Sequence, residues 1–173
     1  MDRAVHDDII LVDPEDRPIG EAPKRTVHLL GLRHRAFSIL LRDDTGRVLL
    51  QRRAADKYHS GGLWANSCCG HPRPGESTPD AAARRVHEEL GVRARLSYAG
   101  TFTYRAGVGG TMIEHEIDHV FVGTAEGEIV PDPKEIAAVA WISVDALTLD
   151  LRENPRRYAA WLADVLRVGL AAN

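Results

Sequence analysis

Short runs of apolar and β-branched residues alternate along the chain with polar stretches rich in Gly, Pro, Asp and Asn. Runs of about 4–8 such residues with these boundaries are typical of β-strands. The turn sequence Asp43-Asp44-Thr45-Gly46 further predicts a hairpin between the strands on either side of it. Alternation is weak in Ile117–Val122, so the pattern does not predict strand order. We predict strands at Ile9–Val12, Ala36–Leu41, Val48–Arg52, Ala94–Tyr104, Glu116–Val122 and Val139–Ile142.

A helical pattern lies in the middle of the chain, where apolar residues recur at every fourth position from Ala82 to Leu90. Thr78 is suited to capping the start of this helix, Pro79 to its first position and Gly91 to its end. The pattern therefore predicts a helix at about Pro79–Leu90. Further helices are predicted at Pro155–Val168 and, as a short element, near Val144–Leu147.

Length and composition limit the class of protein. The 173 residues, 44% hydrophobic with a net charge of −3, are enough for one substantial core, so residues 1–173 are expected to form one domain. Residues 1–23 are expected to be an N-terminal extension packed on or near this core. The charge balance argues against nucleic-acid binding, and no apolar run is long enough to span a membrane.

We expect a cytoplasmic protein, because the acidic N-terminal segment lacks the basic start of a signal peptide. The sequence also indicates no obligate protein partner. The two cysteines, Cys68 and Cys69, are adjacent and cannot staple distant parts of the chain. A disulfide framework is therefore excluded.

The charged face of the central helix, which includes Arg84, Arg85, Glu88 and Glu89, has two interpretations. It is either a solvated face with ion pairs of about 0.2–0.5 kcal/mol each, or part of a site. From Gly70 the spacing is five residues, Glu76, seven residues, and then Arg84 to Val92. This pattern resembles the Nudix box of diphosphate-processing proteins, and the resemblance implies an α/β/α sandwich with a mixed sheet and the Nudix helix at about Pro79–Leu90.

One position of the box departs from the pattern of Nudix hydrolases. Arg85 stands where the hydrolases have a glutamate that holds metal or activates water. Arginine stays protonated and has no acceptor, but it is well suited to binding phosphate. The substitution therefore indicates a protein that holds a diphosphate intact.

Further motifs are spread over much of the chain, from about Lys24 to about Trp161. They are Arg33–Ser38, Gln51–Arg53, Gly62–Ser67, Cys69–Pro72, Phe102–Arg105, Glu114–Glu116 and the segment Pro155–Trp161. Together they resemble type I isopentenyl-diphosphate delta-isomerases, a family that interconverts isopentenyl and dimethylallyl diphosphate in isoprenoid biosynthesis by adding one proton and removing another. A Nudix diphosphohydrolase remains an alternative because Glu88 is present, and so does a non-catalytic prenyl-diphosphate sensor.

The resemblance implies four catalytic residues. Cys69 and Glu116 would act on opposite faces of the alkene, Tyr104 would relay protons with Glu116, and Trp161 would stabilise a carbocation. Ordinary core packing remains the alternative for Trp161, because Ala159-Ala160 replaces the Ser-Pro that usually precedes this tryptophan. The resemblance also implies a cationic clamp for the diphosphate, formed by Lys24, Arg53, Lys57 and Arg85.

Two divalent cations are expected. Glu114 and Glu116 lie two apart in a predicted strand and share a face, which fits either a solvated edge strand or a metal site. The resemblance favours the metal site and implies a second cation, Mg²⁺, held against the diphosphate by Glu89 and the backbone carbonyl of Cys69. The residues expected to hold the first cation (Mn²⁺, Zn²⁺ or Mg²⁺) are His28, His34, His71, Glu114 and Glu116.

The remaining histidines are assigned no role, because a lone histidine is more often structural than a ligand. Cys68 is expected to be dispensable, since only Cys69 directly precedes the Gly-His pair. The histidines without an assigned role are His6, His59, His87, His115 and His119.

Overall fold

The computed structural model describes residues 7–172, which form two β-sheets and four α-helices. The larger sheet has the strand order β2-β1-β3-β8-β7, with β6 paired to β3, and the smaller has the order β5-β4-β9. The strands are β1 (Asp8–Val12), β2 (Pro18–Pro23), β3 (His34–Leu41), β4 (Val48–Arg53), β5 (Trp64–Ala65), β6 (Cys68–Gly70), β7 (Ala94–Gly107), β8 (Ile113–Ala125) and β9 (Ile136–Ile142). The helices are α1 (Lys24–Leu30), α2 (Thr78–Leu90), α3 (Val144–Glu153) and α4 (Leu162–Ala171), with a 3₁₀ turn at Pro155–Arg157.

Strand β3 lies between two helical layers. Its Phe37 and Ile39 are buried with Val86 of α2, whereas Leu40 is buried with Leu166 of α4. Successive side chains of a strand point to opposite faces, so β3 contributes to a core on each side of the sheet. This arrangement is the α/β/α sandwich with a mixed sheet that the sequence predicts.

The register of the larger sheet brings distant residues into one row. His34 of β3 is paired with Glu116 of the parallel strand β8, and Glu116 is also paired with Tyr104 of the antiparallel strand β7. Ser38 is paired with Cys69 of β6. Because directly paired residues project from the same face, these side chains converge on one side of the sheet.

Helix α1 and strand β2 were not predicted. Helix α1 has seven residues and ends at Gly31, whose φ of 62° is a left-handed conformation that favours glycine. Lys24 and His28 are four residues apart and therefore share a face of this helix.

Residues 8–23, expected to be an extension, supply β1 and β2 to the larger sheet. The single-domain assignment of the whole chain stays a prediction.

The predicted helix Pro155–Val168 is wrong as a continuous element. After the 3₁₀ turn, Tyr158 forms a bridge with Trp64 and the Ala159 amide donates to the Trp64 carbonyl at 2.8 Å. This pairing with β5 interrupts helical hydrogen bonding, and α4 starts only after Trp161. Helix α3 is longer than predicted.

The predicted hairpin at 43–46 is also wrong in its pairing. The chain does turn there, since the Gly46 amide donates to the Asp43 carbonyl at 3.0 Å. However, the flanking strands are bridged only at Arg42 and Val48 and then continue in different sheets.

Within residues 7–172, no helix is both long enough and apolar enough to cross a membrane.

Helix α2 starts one residue earlier than predicted, and its cap is Ser77 rather than Thr78. The Ser77 Oγ accepts a hydrogen bond from the Asp80 amide at 3.2 Å, while Thr78 is already helical. The predicted end is confirmed, because Gly91 has a φ of 64° and its amide donates to the His87 carbonyl.

This correction predicts unequal effects of two alanine substitutions. Ser77→Ala should lower the free energy of unfolding by about 1 kcal/mol, because it removes an N-cap acceptor. Thr78→Ala should change the free energy little. Urea denaturation measures both as midpoint shifts at an unchanged m-value. An equal loss from Thr78→Ala would contradict the assignment of the cap.

Candidate active site

A cavity of about 300 Å³ opens on one side of the larger sheet, at its border with α1, α2 and the loop that follows β4. Eleven of the thirteen residues predicted to form the site line this cavity; the other two, His28 and His34, are fully buried beside its acidic side chains. The N-terminal residues Asp7 and Asp8, for which the sequence indicated no role, also line it. The lining residues among the predicted set are Lys24, Arg53, Lys57, Cys69, His71, Arg85, Glu89, Tyr104, Glu114, Glu116 and Trp161.

The five side chains expected to hold the first cation come together in the fold. One ligand atom from each lies within 4.8 Å of the others. His28 Nε2 is 3.1 Å from Glu114 Oε2, and the Nε2 atoms of His34 and His71 are 3.3 and 3.0 Å from Glu116 Oε1. His28 lies in α1 and His34 begins β3, and residues 31–33 connect the two elements.

The hydrogen bonds of two of these histidines fit metal binding. The Nδ1–H of His28 donates to the Lys24 carbonyl at 2.6 Å, and that of His34 donates to the Leu32 carbonyl at 2.9 Å. A bound cation would therefore meet Nε2 of each ring, because Nδ1 is already engaged by a carbonyl. Three imidazoles and two carboxylates at these distances are a donor set that suits Mn²⁺, Zn²⁺ or Mg²⁺.

The two carboxylates of this cluster differ in their electrostatic surroundings. Burial and the neighbouring Glu114 raise the pKa of Glu116 to about 7. For Glu114, burial favours a higher pKa, but hydrogen bonds with His28 and His34 outweigh it and hold the pKa well below its usual range. Burial also lowers the pKa of His71, which is close to His34. The cluster therefore has an unbalanced acidic pair that a divalent cation would compensate.

Cys69 lies in a separate network of the same cavity. Its S–H donates to Asn66 Oδ1 at 3.2 Å, and the same oxygen accepts a hydrogen bond from Trp161 Nε1 at 3.0 Å. Ser38 Oγ is 3.7 Å from the Cys69 sulfur and donates to Asp118 at 2.7 Å. Burial and the adjacent Asp118 raise the pKa of the Cys69 thiol to about 12, so the thiol is protonated at neutral pH.

Tyr104 of β7 is hydrogen-bonded to Glu116, the predicted catalytic residue of the neighbouring strand β8. Its hydroxyl donates to Glu116 Oε2 at 3.0 Å. Burial, together with the charge of Glu116, raises the pKa of Tyr104 well above its ordinary value. The Tyr104 hydroxyl therefore stays protonated and donates a hydrogen bond to this carboxylate over the physiological pH range.

The four basic side chains predicted to bind diphosphate, those of Lys24, Arg53, Lys57 and Arg85, also line this cavity. Arg85 forms ion pairs with Glu89 and, at 3.5 Å, with Glu135, which also pairs with Lys57. Glu89 accepts a further hydrogen bond from Gln51 at 3.0 Å and is not among the five residues of the first cation cluster. The cavity therefore combines an acidic cluster with a cationic rim.

Comparisons with known proteins agree with this arrangement. The family model described as NUDIX domain matches residues 32–162. The chain is 48% identical over 165 residues to an isopentenyl-diphosphate Delta-isomerase of Serratia proteamaculans, covering 95% of this chain and 92% of the relative. It is 49% identical over 162 residues to isopentenyl-diphosphate Delta-isomerase 2 of Aromatoleum aromaticum, covering 94% and 86%. The chain belongs to the isopentenyl-diphosphate Delta-isomerase family.

Solved structures support the fold of this family member independently. A protein of Deinococcus radiodurans superimposes with a TM-score of 0.76 over 93% of this chain and 98% of that chain. The two sequences are only 18% identical, so the likeness concerns the fold alone.

Several residues of the site were not predicted from the sequence, among them Asn66 and His59. Asn66 is fully buried, and its amide nitrogen donates to the carbonyls of Ile39 and Cys68. Its side-chain oxygen accepts hydrogen bonds from Cys69 and Trp161. His59, which was assigned no role, lies 2.8 Å from Glu114 Oε1. Asn66 lies within the motif Gly62–Ser67, which could have indicated a role for it, whereas no motif of the sequence includes His59.

Three further histidines without a predicted role lie outside the acidic cluster. His115 faces the Gly31 carbonyl and His119 pairs with Asp16, while His87 is exposed on α2. His6 lies outside the described residues.

The raised pKa of Cys69 predicts slow alkylation in the metal-free protein. In a Cys68→Ala variant, Cys69 is the only cysteine, so its reaction with iodoacetamide can be followed by mass spectrometry. The rate should continue to rise above about pH 10, whereas a free thiol is already half ionised near pH 8.5. Restricted access would slow the reaction but would leave this pH dependence unchanged. A rate that levels off between about pH 8 and 9 would contradict the prediction.

Proposed function

We propose that this protein interconverts isopentenyl diphosphate and dimethylallyl diphosphate, a step of isoprenoid biosynthesis. The observation that carries the proposal is that a protonated thiol, Cys69, and a carboxylate, Glu116, line the same cavity, which also has a cationic rim. The relatives described above support the same reaction by their names. A cytoplasmic location and the lack of an obligate protein or nucleic-acid partner remain predictions.

The diphosphate is held by the cationic rim in this proposal. Lys24, Arg53, Lys57 and Arg85 are close enough to one cavity to bind one ligand, and guanidinium groups favour phosphate oxygens by forming paired hydrogen bonds. Glu89 and the backbone carbonyl of Cys69 would hold Mg²⁺ against the diphosphate, and the Mg²⁺ would neutralise part of its charge.

The chemistry of the proposal is a pair of proton transfers. One group adds a proton to the terminal carbon of the double bond, which leaves a carbocation on the adjoining substituted carbon. The group on the opposite face removes a proton from the CH2 group on the other side of that carbon, so the double bond re-forms there. Cys69 takes one of these roles and Glu116 takes the other, and the roles are exchanged in the reverse reaction. Tyr104 supports Glu116 through its hydrogen bond at 3.0 Å.

The intermediate is a tertiary carbocation, which must be kept from water. The Trp161 side chain is buried, lines the cavity and has Arg53 5.5 Å from its ring. An indole face stabilises a desolvated cation by about 2 kcal/mol. The hydrogen bond from Trp161 to Asn66 fixes the orientation of the indole.

The acidic cluster completes the proposed site. The first divalent cation, Mn²⁺, Zn²⁺ or Mg²⁺, would be held by His28, His34, His71, Glu114 and Glu116. When bound, this cation would offset the charge of the carboxylate pair and sharpen the acidity of groups beside it. Without its charge, Glu114 and Glu116 oppose each other's ionisation.

The hydrolase alternative is weaker, although Glu88 is present in the box. Both Glu88 and Glu89 are engaged by Arg85, and Glu88 also pairs with Arg84 at 3.2 Å. Carboxylates held by guanidinium groups are poor bases for activating water. A prenyl-diphosphate sensor would need the same cavity without turnover.

Proton NMR in D₂O tests the proposal directly. Purified protein with isopentenyl diphosphate, Mg²⁺ and Mn²⁺ should form an allylic product that carries deuterium, without release of phosphate. Phosphate release without an allylic product would favour the hydrolase. Binding of isopentenyl diphosphate without either product would favour the sensor.

Three variants test the catalytic assignment. Cys69→Ala and Glu116→Gln should each lower kcat by about 10²–10⁴-fold, because each removes a proton-transfer group. The matched control Cys68→Ala should retain activity, since its buried thiol belongs to the core that contacts α2. Isomerase assays and substrate-binding measurements separate loss of turnover from loss of binding. Near-complete inactivation of Cys68→Ala would contradict the choice of Cys69.

A further inference from the structure

We propose that His59 is a positioning residue that orients the Glu114 carboxylate toward the proposed cation and supports the Trp161 ring. The inference rests on the proposed function, because it concerns the cation cluster of the same site. It adds a residue from the loop between β4 and β5 to a cluster otherwise built on α1, β3, β8 and the segment after β6.

The two oxygens of Glu114 have different partners. Oε2 faces the cluster, at 3.1 Å from His28 Nε2 and 3.6 Å from His34 Nε2. Oε1 faces His59 Nε2 at 2.8 Å, the shortest contact between a histidine and a carboxylate in the cluster. A hydrogen bond to Oε1 therefore leaves Oε2 directed at the point shared by the other imidazoles.

The neighbouring residue favours the tautomer that this role requires. Ser60 Oγ lies 3.2 Å from His59 Nδ1, and its hydroxyl can donate to that nitrogen. The imidazole proton then resides on Nε2, where it donates to Glu114. The opposite tautomer would place a lone pair 2.8 Å from a carboxylate oxygen, which is unfavourable.

This tautomer distinguishes His59 from the proposed ligands. His28 and His34 donate from Nδ1 to a backbone carbonyl, so a cation would bind their Nε2 atoms. His59 has the reverse arrangement. Ser60 adopts a φ of 52°, a left-handed conformation uncommon outside glycine, and this conformation places its hydroxyl beside the ring.

His59 also contacts the aromatic and cationic walls of the cavity. Its side chain is only 5% exposed, and its ring packs edge-on against Trp161 with centroids 6.2 Å apart. The His59 carbonyl accepts a hydrogen bond from Arg53 at 3.3 Å, and Arg53 lies over Trp161. One loop residue thus connects Glu114, the carbocation-facing indole and a member of the diphosphate clamp.

Two substitutions separate the hydrogen bond from the packing. His59→Phe keeps a ring against Trp161 but removes the donor, whereas His59→Gln keeps a donor near the position of Nε2 and loses the ring. The affinity for Mn²⁺ alone is measured from the electron paramagnetic resonance signal of the free ion, without substrate. The exposed His87 supplies the matched control, His87→Phe.

We expect His59→Phe to weaken Mn²⁺ binding by about 10- to 100-fold, the usual effect of losing a group that orients a ligand. His59→Gln should stay within about threefold of the wild type, and His87→Phe should equal it. Circular dichroism checks folding; if the phenylalanine is not accommodated, His59→Asn, whose amide is too short to reach Glu114, replaces it.

Three results would overturn the inference. Unchanged Mn²⁺ affinity in His59→Phe would show that the hydrogen bond does not position Glu114. Equal losses in the Phe and Gln variants would assign the effect to packing. Absence of Mn²⁺ binding by the wild-type protein would remove the proposed cation site, and this inference with it. Failure of the isomerase proposal is distinguished separately, because it would appear in the NMR assay of the wild type.

Discussion

The site depends on the placement of two buried carboxylates, Glu114 and Glu116, on one face of β8. Like charges in a poorly solvated environment oppose each other's ionisation, and the pKa of Glu116 rises to about 7 for this reason together with burial. Such a pair is tolerated only when cations or hydrogen-bond donors surround it. The fold brings histidines from four separate segments to this pair, so the acidic pair explains why α1, β3, the loop after β4 and the segment after β6 meet here.

Strand register sets the geometry of the reactive groups. His34, Glu116 and Tyr104 occupy one row across β3, β8 and β7, and Cys69 is paired with Ser38 on the same central strand. A slip of one residue would turn each of these side chains to the opposite face. The core residues of β3 enforce the register, because the same slip would turn Phe37 and Ile39 away from the core that they share with α2. Packing of the two cores and positioning of the site are therefore one constraint.

The sequence predicted what local patterns encode. Helix α2 was predicted nearly to its ends because an apolar stripe, a proline and Gly91 act within a few residues. Helix α1 was missed because seven residues with one fully buried apolar side chain give no stripe. The break at Tyr158 and the divergence of the strands around Asp43 depend on pairing with distant strands, which no local pattern encodes. The same limit applies to His59, which reaches Glu114 only after the loop folds back.

Helix α2 and the larger sheet have different tasks in the proposed function, and this difference explains how a Nudix fold can catalyse isomerisation instead of hydrolysis. In the described part of α2, the carboxylates Glu88 and Glu89 are both paired with Arg85, so the helix offers charge for binding rather than a free base for water. The groups proposed to transfer protons lie instead on β6, β7 and β8, in different elements of secondary structure from these arginine pairs. In the proposed function, Arg85 of the helix binds the diphosphate, while Cys69 and Glu116 of the sheet transfer protons. Binding and proton transfer are then carried by different elements, so the proposed reaction needs no free carboxylate base on the helix.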